Sequence, residues 1–280
     1  MAGIVGILGN AGPVHEWLAE AWRDLGLTAV VVRPQDVELL DGGDVLVGRL
    51  DVLPTMDGIE PGLRALGTGR ARGVRVVNSP SSLLRAHDKL LTAEVLLRAG
   101  LPHPRTECVP PGGTATIEPP VVVKPRYGSW GRDLVRCESV PELAAHLGSL
   151  ADVGWFRRHG ALVQELVRAP SHDLRILVAD GRVVGAAERI AAPGEWRTNM
   201  SLGGSLRRAR PDAQACELAL ATAEVVGCEF VGVDLLPGPD GWVALELNAA
   251  VDFDRRYSLP RSDVYAEAAD ALGLAAPVLR

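Results

Sequence analysis

The chain lacks the features that mark membrane, secreted and zinc-binding proteins. No run of its 280 residues is long and apolar enough to span a bilayer, and its first residues, MAGIVGILGNAG, lack the basic segment of a secretory signal. Its four cysteines form no C-x-x-C pair, and its six histidines form no H-x-x-x-H pattern. The sequence therefore predicts a cytoplasmic protein with no membrane partner, free thiols and no zinc site.

Net positive charge is missing as well. The 35 acidic residues outnumber the 29 basic ones and leave a formal charge of −6, which provides no general footprint for nucleic acid. Lysine is especially scarce: Lys89, in AHDKLL, and Lys124, in VVVKPRYGSWGRDL, are the only two. Lysine is a compact ammonium on a flexible stem and arginine is a planar fork, so these two positions indicate sites where the shape of the cation matters.

Short apolar runs alternate with helical patterns between residues 3 and 78. GIVGIL, AVVVR, DVLVGR and VRVVN read as strands, and HEWLAEAWRDLG and residues 63–72 read as helices. This alternation predicts a parallel sheet covered by helices. Gly6, Gly9 and Gly12 do not follow G-x-G-x-x-G spacing, and the second strand ends at Arg33 where a ribose-binding acid is expected. A nicotinamide-dependent oxidoreductase is therefore the weaker interpretation of these glycines.

The rest of the chain predicts a helix over residues 79–100, two strands joined by RYGSWGR, the strand ALVQELV and a hairpin around Asp180-Gly181. The helix DAQACELALATAEVVG and a last hairpin, FVGVDLL with WVALELN, follow. We expect three units with boundaries at residues 1–79, 80–164 and 165–280.

The last hairpin has oxygen-bearing side chains on one face. Side chains alternate along a strand, so Glu246 and Asn248 share a face, and a symmetric turn at PGPDG pairs Asp234 with Ala244 and makes Glu246 its diagonal neighbour. Such a set suits Mg²⁺, which prefers oxygen and bridges carboxylates to phosphates. An ordinary amphipathic hairpin is the alternative, but it leaves carboxylates unpaired in an apolar neighbourhood.

The RYGSWGR loop and two arginines indicate phosphate chemistry. Gly128 and Gly131 allow backbone N–H groups to approach anionic oxygens, and Lys124 can neutralise phosphate charge, although a plain β-turn is the alternative. Arg175 and Arg189 lie on successive strands of the DLRILV to AAERI hairpin. Arginine forks hold phosphates and carboxylates directionally, and a transferring phosphoryl group needs such neutralisation.

These segments resemble the ATP-grasp superfamily, and within it the RimK/LysX group of carboxylate–amine ligases. The resemblance rests on DKLLTAEVLLRAGLPHPRT, VVVKP followed by GSWGR, LVQELV, the DLRILV to AAERI hairpin, RTNMSLGG, and VGVDLL with LELNAA. It implies an α/β (α+β) ATP-grasp fold with an N-terminal Rossmann-like preATP-grasp domain and two ATP-grasp subdomains. GSWGR and the RTN segment look more like LysX-type enzymes, which add an amino acid to the C-terminal glutamate of a small acidic carrier protein.

The resemblance also implies roles for individual residues. The residues that it implies bind ATP are Lys89, Lys124, Gly128, Ser129, Trp130, Gly131, Gln164, Glu165 and Val167. Two Mg²⁺ ions, which Mn²⁺ is able to replace, fall to Asp234, Glu246 and Asn248. Catalysis falls to Arg189, Arg175 and Asn199, and substrate binding to Arg197, Asn199 and Phe253.

The implied reaction is ATP-dependent amide formation. A carboxylate attacks the γ-phosphate to give an acyl phosphate and ADP, and an amine then attacks the acyl group; positioning and charge neutralisation supply most of the catalysis. LysX-like enzymes that use aminoadipate follow the ligand asparagine with H-T-x-E-F, whereas AAVDF follows Asn248 here. The amino acid, aminoadipate or glutamate-like, is therefore left open.

Two other interpretations remain open beside the carrier-protein ligase. One is a RimK-like glutamate ligase that acts on a protein tail or a small molecule, and the other is an ATP-binding module without catalysis. For the enzyme we expect a homo-oligomer, either a dimer or a tetramer.

Overall fold

The computed structural model of the protein describes residues 3–9 and 12–274, so residues 1–2, 10–11 and 275–280 of the expected units lie outside the described part. The N-terminal elements are β1 (Ile4–Leu8), α1 (Pro13–Asp24), β2 (Thr28–Val32), β3 (Val45–Gly48), α2 (Leu63–Ala71) and β4 (Arg75–Val77). The strands are parallel in the order β2-β1-β3-β4, which we call the first sheet. The predicted helix-covered parallel sheet is confirmed.

Two helices follow the first sheet, α3 (Pro80–His87) and α4 (Lys89–Arg98). The single helix predicted over this stretch is wrong at Asp88. The Asp88 carboxylate accepts hydrogen bonds from the backbone N–H groups of Leu90 and Leu91, at 3.1 and 3.3 Å. An aspartate bonded in this way caps the helix that follows and competes with continuation of the helix before it. The break therefore makes Lys89 the first residue of α4.

The second sheet is antiparallel and has a core of its own. Its elements are β5 (Thr106–Val109), β6 (Val121–Pro125), β7 (Val135–Cys137), α5 (Val140–Ser149), α6 (Gly154–His159) and β8 (Ala161–Glu165). The strand order is β5-β8-β6-β7. Trp155 and Phe156 of α6 and Leu143 of α5 pack in one buried cluster with Val121 and Val123 of β6. These contacts hold the two helices against the sheet that carries Lys124.

The third sheet contains the predicted hairpins. Its elements are β9 (His172–Ala179), β10 (Arg182–Ile190), β11 (Ser205–Arg208), α7 (Ala213–Val226), β12 (Phe230–Gly238), β13 (Gly241–Asn248) and α8 (Val264–Ala271). The strands run antiparallel in the order β11-β10-β9-β12-β13. No helix in residues 3–9 or 12–274 has the length and hydropathy needed to cross a membrane.

The first and third sheets share a hydrophobic core. Trp22 of α1 is fully buried, its ring lies 6.5 Å from that of Phe230 on β12, and its Nε1 donates a hydrogen bond to the Tyr265 carbonyl at 3.2 Å. Leu46 of β3 and Ile176 of β9 belong to a second shared cluster. Truncation of a buried aromatic of this kind typically costs about 3–5 kcal/mol. The N-terminal sheet is therefore packed firmly against the sheet that holds the metal-ligand candidates.

The hairpin β12-β13 brings Asp234 and Glu246 directly opposite each other. The predicted pairing of Asp234 with Ala244 is wrong by two residues, because the tight turn pairs Gly238 with Gly241 and a bulge next to Asp234 adds one more residue to β13. Beyond the bulge the shift is two residues, which keeps Glu246 and Asn248 on the predicted face, whereas a one-residue shift would reverse it. The two carboxylates are therefore direct cross-strand neighbours and not diagonal ones.

Candidate active site

A cavity of about 480 Å³ lies between the second and third sheets, within the size range of ligand sites. It is lined by thirteen of the predicted site residues: Lys89, Lys124, Gly128, Ser129, Trp130, Gly131, Gln164, Glu165, Val167, Arg189, Arg197, Asn199 and Glu246. A neighbouring cavity of about 310 Å³ shares Arg189, Asn199 and Glu246 with it and adds Arg175 and Asn248. We call these the large and the small cavity. The structure thus brings residues from five separate segments of the sequence to one place.

The two lysines place positive charge on the second-sheet side of the large cavity. Lys89 Nζ donates to the Gly128 carbonyl at 2.5 Å and lies 3.4 Å from Glu246 Oε2. Lys124 is 4% exposed, and its Nζ donates to Gln164 Oε1 at 2.7 Å. Burial lowers the pKa of Lys124 to about 8, with Glu246 opposing and Lys89 adding to the effect. An anionic ligand would restore the charged form of this buried ammonium.

Asp88 fixes the position of Lys89 relative to the end of β6. Beyond its helix-capping bonds, its carboxylate accepts two bonds from the Arg126 guanidinium, at 2.7 and 2.6 Å, and one from the Tyr127 hydroxyl at 2.9 Å. The Lys89 N–H also donates to the Arg126 carbonyl at 3.2 Å. The start of α4 is thereby tied to the strand end from which the RYGSWGR loop leaves.

Gln164 holds Lys124 in place with its side chain. Its Oε1 accepts from Lys124, and its Nε2 donates to Thr106 Oγ1 at 2.8 Å. Both ends of the amide are therefore fixed, and the ammonium has a defined position. The resemblance assigns Gln164 to the adenine pocket, and in the structure its side chain bonds Lys124 and Thr106, with His103 Nε2 3.5 Å from its Nε2. The segment after it, Glu165 to Val167, lines the large cavity.

Two arginines and two aspartates form a buried network on the third-sheet side. Arg175 donates to both oxygens of Asp234, at 2.6 and 2.8 Å, and Arg189 donates to both oxygens of Asp173, at 2.7 and 2.5 Å. Arg189 Nη2 also donates to Asp234 Oδ2 at 2.7 Å. Burial raises the pKa of Asp234, but Arg175 and Arg189 lower it more, so the pKa falls below its usual range. Paired and hydrogen-bonded, these buried charges avoid the cost of isolated ones.

Arg189 has a donor that the network does not use. Its Nε and Nη2 make all of its hydrogen bonds to described residues, and Nη1 has no partner among them. The side chain lines both the large and the small cavity. Arg189 is therefore held rigidly from behind while one amino group is free for a ligand.

The donor set of the last hairpin fits magnesium. Glu246 and Asn248 line the cavities, and Asn248 Nδ2 lies 3.4 Å from Asp234 Oδ2, which leaves its amide oxygen outside that contact. In the described part of the chain no three His, Cys, Asp or Glu side chains cluster as ligands. Mg²⁺ needs no such cluster, because one or two carboxylates commonly hold it together with substrate phosphates.

The RYGSWGR loop is docked against the loop that follows β10. Arg197 Nη1 donates to the Gly131 carbonyl at 3.0 Å, and Ser201 Oγ donates to the Trp130 carbonyl at 2.9 Å. Gly131 has a φ of 70°, which favours glycine, and a Cβ there would lie 2.6 Å from Asn199 Oδ1, so a larger residue would also have to move the Asn199 side chain. The RYGSWGR loop, which the family resemblance implies is a flexible lid, is therefore in contact with residues 197–201.

Phe253 and Asp234 lie apart from the large cavity. Phe253 packs its ring against Phe230 and Tyr265, with centroids 5.8 and 5.1 Å apart, and lines a further cavity of about 390 Å³ together with Asp252. Asp234 is fully buried behind the cavity wall. The expected substrate contact of Phe253 stays a prediction.

Asp88, Asp173 and Thr198 are among the residues of the site to which the sequence analysis assigns no role. Thr198 Oγ1 donates to Asp173 Oδ2, the oxygen that also accepts from Arg189. A signal was present for Asp173, because it stands two residues before Arg175 in a predicted strand and therefore on the same face. An acid on the face that carries a candidate phosphate-binding arginine predicts a partner for arginine.

Comparison with known proteins defines the class of this molecule. The family described as RimK-like ATP-grasp domain matches residues 86–271. The chain belongs to this family of ATP-grasp carboxylate–amine ligases, whose members use ATP and Mg²⁺. The family and enzyme class predicted from the sequence are confirmed.

Similar proteins are named for particular ligase reactions. "Tetrahydromethanopterin:alpha-L-glutamate ligase" of Methanosarcina acetivorans is 30% identical over 236 residues, which cover 77% of this chain and 73% of that protein. "Alpha-aminoadipate--LysW ligase LysX" of Saccharolobus solfataricus is 29% identical, over 65% of this chain and 68% of that protein. The chain spans about half the length of "Probable alpha-L-glutamate ligase" of Parasynechococcus marenigrum, 48%, at 30% identity.

Solved structures share the fold. A RimK domain ATP-grasp protein of Sphaerobacter thermophilus superposes with a TM-score of 0.68 at 21% identity, covering 96% of this chain and 99% of that one. D-alanine–D-alanine ligase of Bacillus anthracis, complexed with ATP, superposes with a TM-score of 0.67 at 16% identity, covering 97% and 92%. ATP-grasp ligase PsnB, complexed with a minimal precursor, Mg and ADP, gives 0.61 at 17% identity, covering 98% of each chain. The predicted ATP-grasp fold is confirmed.

Proposed function

We propose that the protein joins the C-terminal glutamate carboxylate of a carrier protein or peptide to the amino group of 2-aminoadipate or a glutamate-like amino acid, in the cytoplasm, with release of ADP. The observation that carries this proposal is the convergence of Lys89, Lys124, Arg189 and Glu246 on one cavity. Three cations and an oxygen ligand from separate segments match the charge that a transferring phosphoryl group develops.

Nucleotide binding falls to the second-sheet side of the large cavity. The Lys124 and Lys89 ammonium groups neutralise the phosphates, and the lid residues from Gly128 to Gly131 cover them. Val122 of β6 and, from the facing third sheet, Leu236 and Leu245 supply apolar surface for the adenine ring, next to the segment from Glu165 to Val167.

We propose that Glu246 and Asn248 bind two Mg²⁺ ions and that Asp234 lies behind these two residues. When bound, Mg²⁺ neutralises phosphate charge and orients the phosphates. Asp234 keeps a second task, because it fixes the guanidinium groups of Arg175 and Arg189.

The chemistry proceeds by an acyl phosphate. A carboxylate oxygen attacks the γ-phosphorus as the bond to the ADP oxygen breaks, and Arg189 Nη1 binds the charge on the transferred group. The amine nitrogen then attacks the acyl carbon, the amide bond forms, the amine loses a proton and phosphate leaves. Asn199 and Arg175 contact the same substrates from the small cavity, and Arg197 holds the lid over them.

A protein or peptide acceptor is supported by the rim of the large cavity. Arg136 and Arg168 are exposed and line it, and Trp130 and Trp196 are exposed beside it. An acidic chain end would meet positive charge and aromatic surface there. The relatives named as LysW ligases also favour a carrier protein.

A small-molecule acceptor is the second candidate function. It is supported by the relative named tetrahydromethanopterin:alpha-L-glutamate ligase, which is 30% identical over 77% of this chain. The two candidates differ in which acceptor gains the mass of an amino acid.

The test is a coupled ADP-release assay with ATP, Mg²⁺ and a panel of amino acids that includes glutamate and 2-aminoadipate. Acceptors with C-terminal glutamate are added as intact protein, short acidic peptide or small molecule, and their masses are measured. ADP release with a mass gain on a protein or peptide supports the proposal. AMP release, or ATP binding without any ADP release across the panel, contradicts it.

A further inference from the structure

Asp173 lies between the arginine that faces the substrates and the loop that contacts the lid. Its Oδ2 accepts from Arg189 Nη2 at 2.5 Å and from Thr198 Oγ1, and its Oδ1 accepts from Arg189 Nε at 2.7 Å. Asp173 is 2% exposed and Thr198 is 9% exposed. One buried carboxylate therefore joins β10, which carries Arg189, to the loop that carries Thr198.

The same loop holds the lid. Arg197, the residue before Thr198, donates to the Gly131 carbonyl, and Asn199, the residue after it, is in contact with Gly131. Ser201 donates to the Trp130 carbonyl. The lid is thus bonded to the flanks of Thr198, and the Thr198 side chain is bonded to Asp173. A continuous chain of contacts runs from lid to loop to Asp173 to Arg189.

We propose that Thr198 and Asp173 are positioning residues that couple docking of the lid over the nucleotide to the orientation of Arg189. This inference rests on the proposed function, because it takes Arg189 as the group that binds the transferred phosphoryl. With the loop seated, Thr198 and Arg189 share Asp173 Oδ2, and Nη1 of Arg189 is directed into the cavities. With the loop displaced, Asp173 loses the hydroxyl bond that holds it, and Arg189 loses the fixed support for Nη1.

The direct test replaces the shared hydroxyl. Thr198→Val keeps the size of the side chain and removes the donor, Thr198→Ser keeps the donor, and Thr198→Ala is a second variant in case valine prevents folding. The matched control is Thr222→Val on α7, a buried threonine whose Oγ1 has no hydrogen-bond partner among the residues that the structure describes. Thermal unfolding midpoints are measured for every variant.

Two readouts separate positioning from simple stability. The first is kcat and KM for ATP in the ADP-release assay. We expect Thr198→Val to lower kcat about tenfold, because a small displacement of a catalytic group is costly, with KM for ATP within about twofold. Thr198→Ser restores most of kcat, and Thr222→Val leaves it at the wild-type value.

The second readout follows the lid without any turnover. Trypsin cleaves after Arg132, an exposed residue at the end of the lid, and we expect Mg²⁺ with the non-hydrolysable analogue AMPPNP to slow that cleavage in the wild type. Thr198→Val weakens this protection, and Thr198→Ser retains it. Protection and kcat both unchanged in Thr198→Val would overturn the coupling, as would an equal loss in Thr198→Ser. Failure of the proposed function is distinguishable, because the wild type would then form no amide while lid protection could still be measured.

Discussion

The two sides of the large cavity hold positive charge in different ways. On the second-sheet side, Lys89 and Lys124 are bonded to neutral oxygen atoms, the Gly128 carbonyl and the Gln164 amide. These two partners carry no negative charge, and a single carboxylate, that of Glu246 at 3.4 Å from Lys89 Nζ, faces the two ammonium groups. This side therefore presents net positive charge, which a bound polyanion would neutralise.

On the third-sheet side, positive charge is already balanced. Arg175 and Arg189 are bonded to Asp173 and Asp234, two cations against two anions. Such a network contributes little attraction at a distance, but it fixes the guanidinium planes. We therefore expect the lysine side to bind the charge of the ligand and the arginine side to orient one donor, Arg189 Nη1, toward it.

We expect the largest loss of turnover from substitution of Glu246, the residue at which the lysine side and the arginine side meet. Its Oε2 lies 3.4 Å from Lys89 Nζ although it belongs to the third sheet. We expect Glu246→Gln to lower turnover by roughly 10²–10³-fold, because a neutral amide lacks the negative charge with which a carboxylate binds Mg²⁺. Steady-state ADP release measures the change.

The matched control for this prediction is Glu267→Gln, which removes a surface carboxylate paired with Arg182. It should keep wild-type turnover, since exposed pairs contribute about 0–1 kcal/mol. Near-normal turnover of Glu246→Gln would remove Glu246 from the metal site.

The arginine side is tested by Arg189→Lys. Lysine keeps the charge but cannot bond both Asp173 and Asp234 as a fork, so we expect kcat to fall about 10²-fold with a smaller change in KM for ATP. The control, Arg207→Lys, changes an exposed arginine of the same sheet that is paired with Glu188. If both variants kept the wild-type kcat, orientation by the network would not matter.

The sequence predicted the lysine side better than the arginine side, for physical reasons. Lys89 and Lys124 stand out because lysine is rare in this chain, and a local segment is enough to notice them. The arginine network depends on pairs 16, 45 and 59 residues apart, and the local D-x-R pattern at Asp173 and Arg175 does not reveal which acid each arginine bonds.

Two further differences between the predicted and the observed structure have local causes that the hydrophobic periodicity of the sequence does not reveal. The helix break at Asp88 comes from a side chain that bonds the backbone, and the hairpin register comes from a bulge beside Asp234. Both errors left the site intact, since Lys89 still faces the cavity and a two-residue slip preserves the face of Glu246. The expected role of Phe253 in substrate binding depended on the family resemblance alone. In the structure its ring packs between Phe230 and Tyr265.

The shape argument for the lysine side is tested by Lys124→Arg. The ammonium is buried and 2.7 Å from Gln164 Oε1, so a guanidinium has no room in the same place. We expect ATP affinity to fall about tenfold by calorimetry. Lys124→Met is the comparison variant, because it removes the charge as well. An affinity for Lys124→Arg equal to the wild type would mean that charge alone matters there.

The smallest expected effect is the uptake of protons when ATP binds, and it again distinguishes the lysine side of the cavity from the arginine side. Burial lowers the pKa of Lys124 to about 8, whereas phosphates beside it would raise the pKa by favouring the charged form. At pH 8 the free protein carries this charge about half of the time, so ATP binding should take up about half a proton, and ATP affinity should fall as pH rises further. Calorimetry at pH 8 in buffers of different ionisation enthalpy measures this uptake.

Lys124→Met should abolish the proton uptake, and uptake that persisted in this variant would assign it to another group. The same lowered pKa gives folding of the unliganded protein the opposite pH dependence, because folding becomes more favourable as pH rises whereas ATP affinity falls. The charged form of Lys124 opposes the folded state below about pH 8, and this cost fades as pH rises toward the ordinary value of 10.5. Asp234 gives no such signal near pH 8, because its arginine partners hold its pKa below the usual carboxylate range. Proton uptake near pH 8 therefore belongs to the side of the cavity whose charge is not balanced in advance.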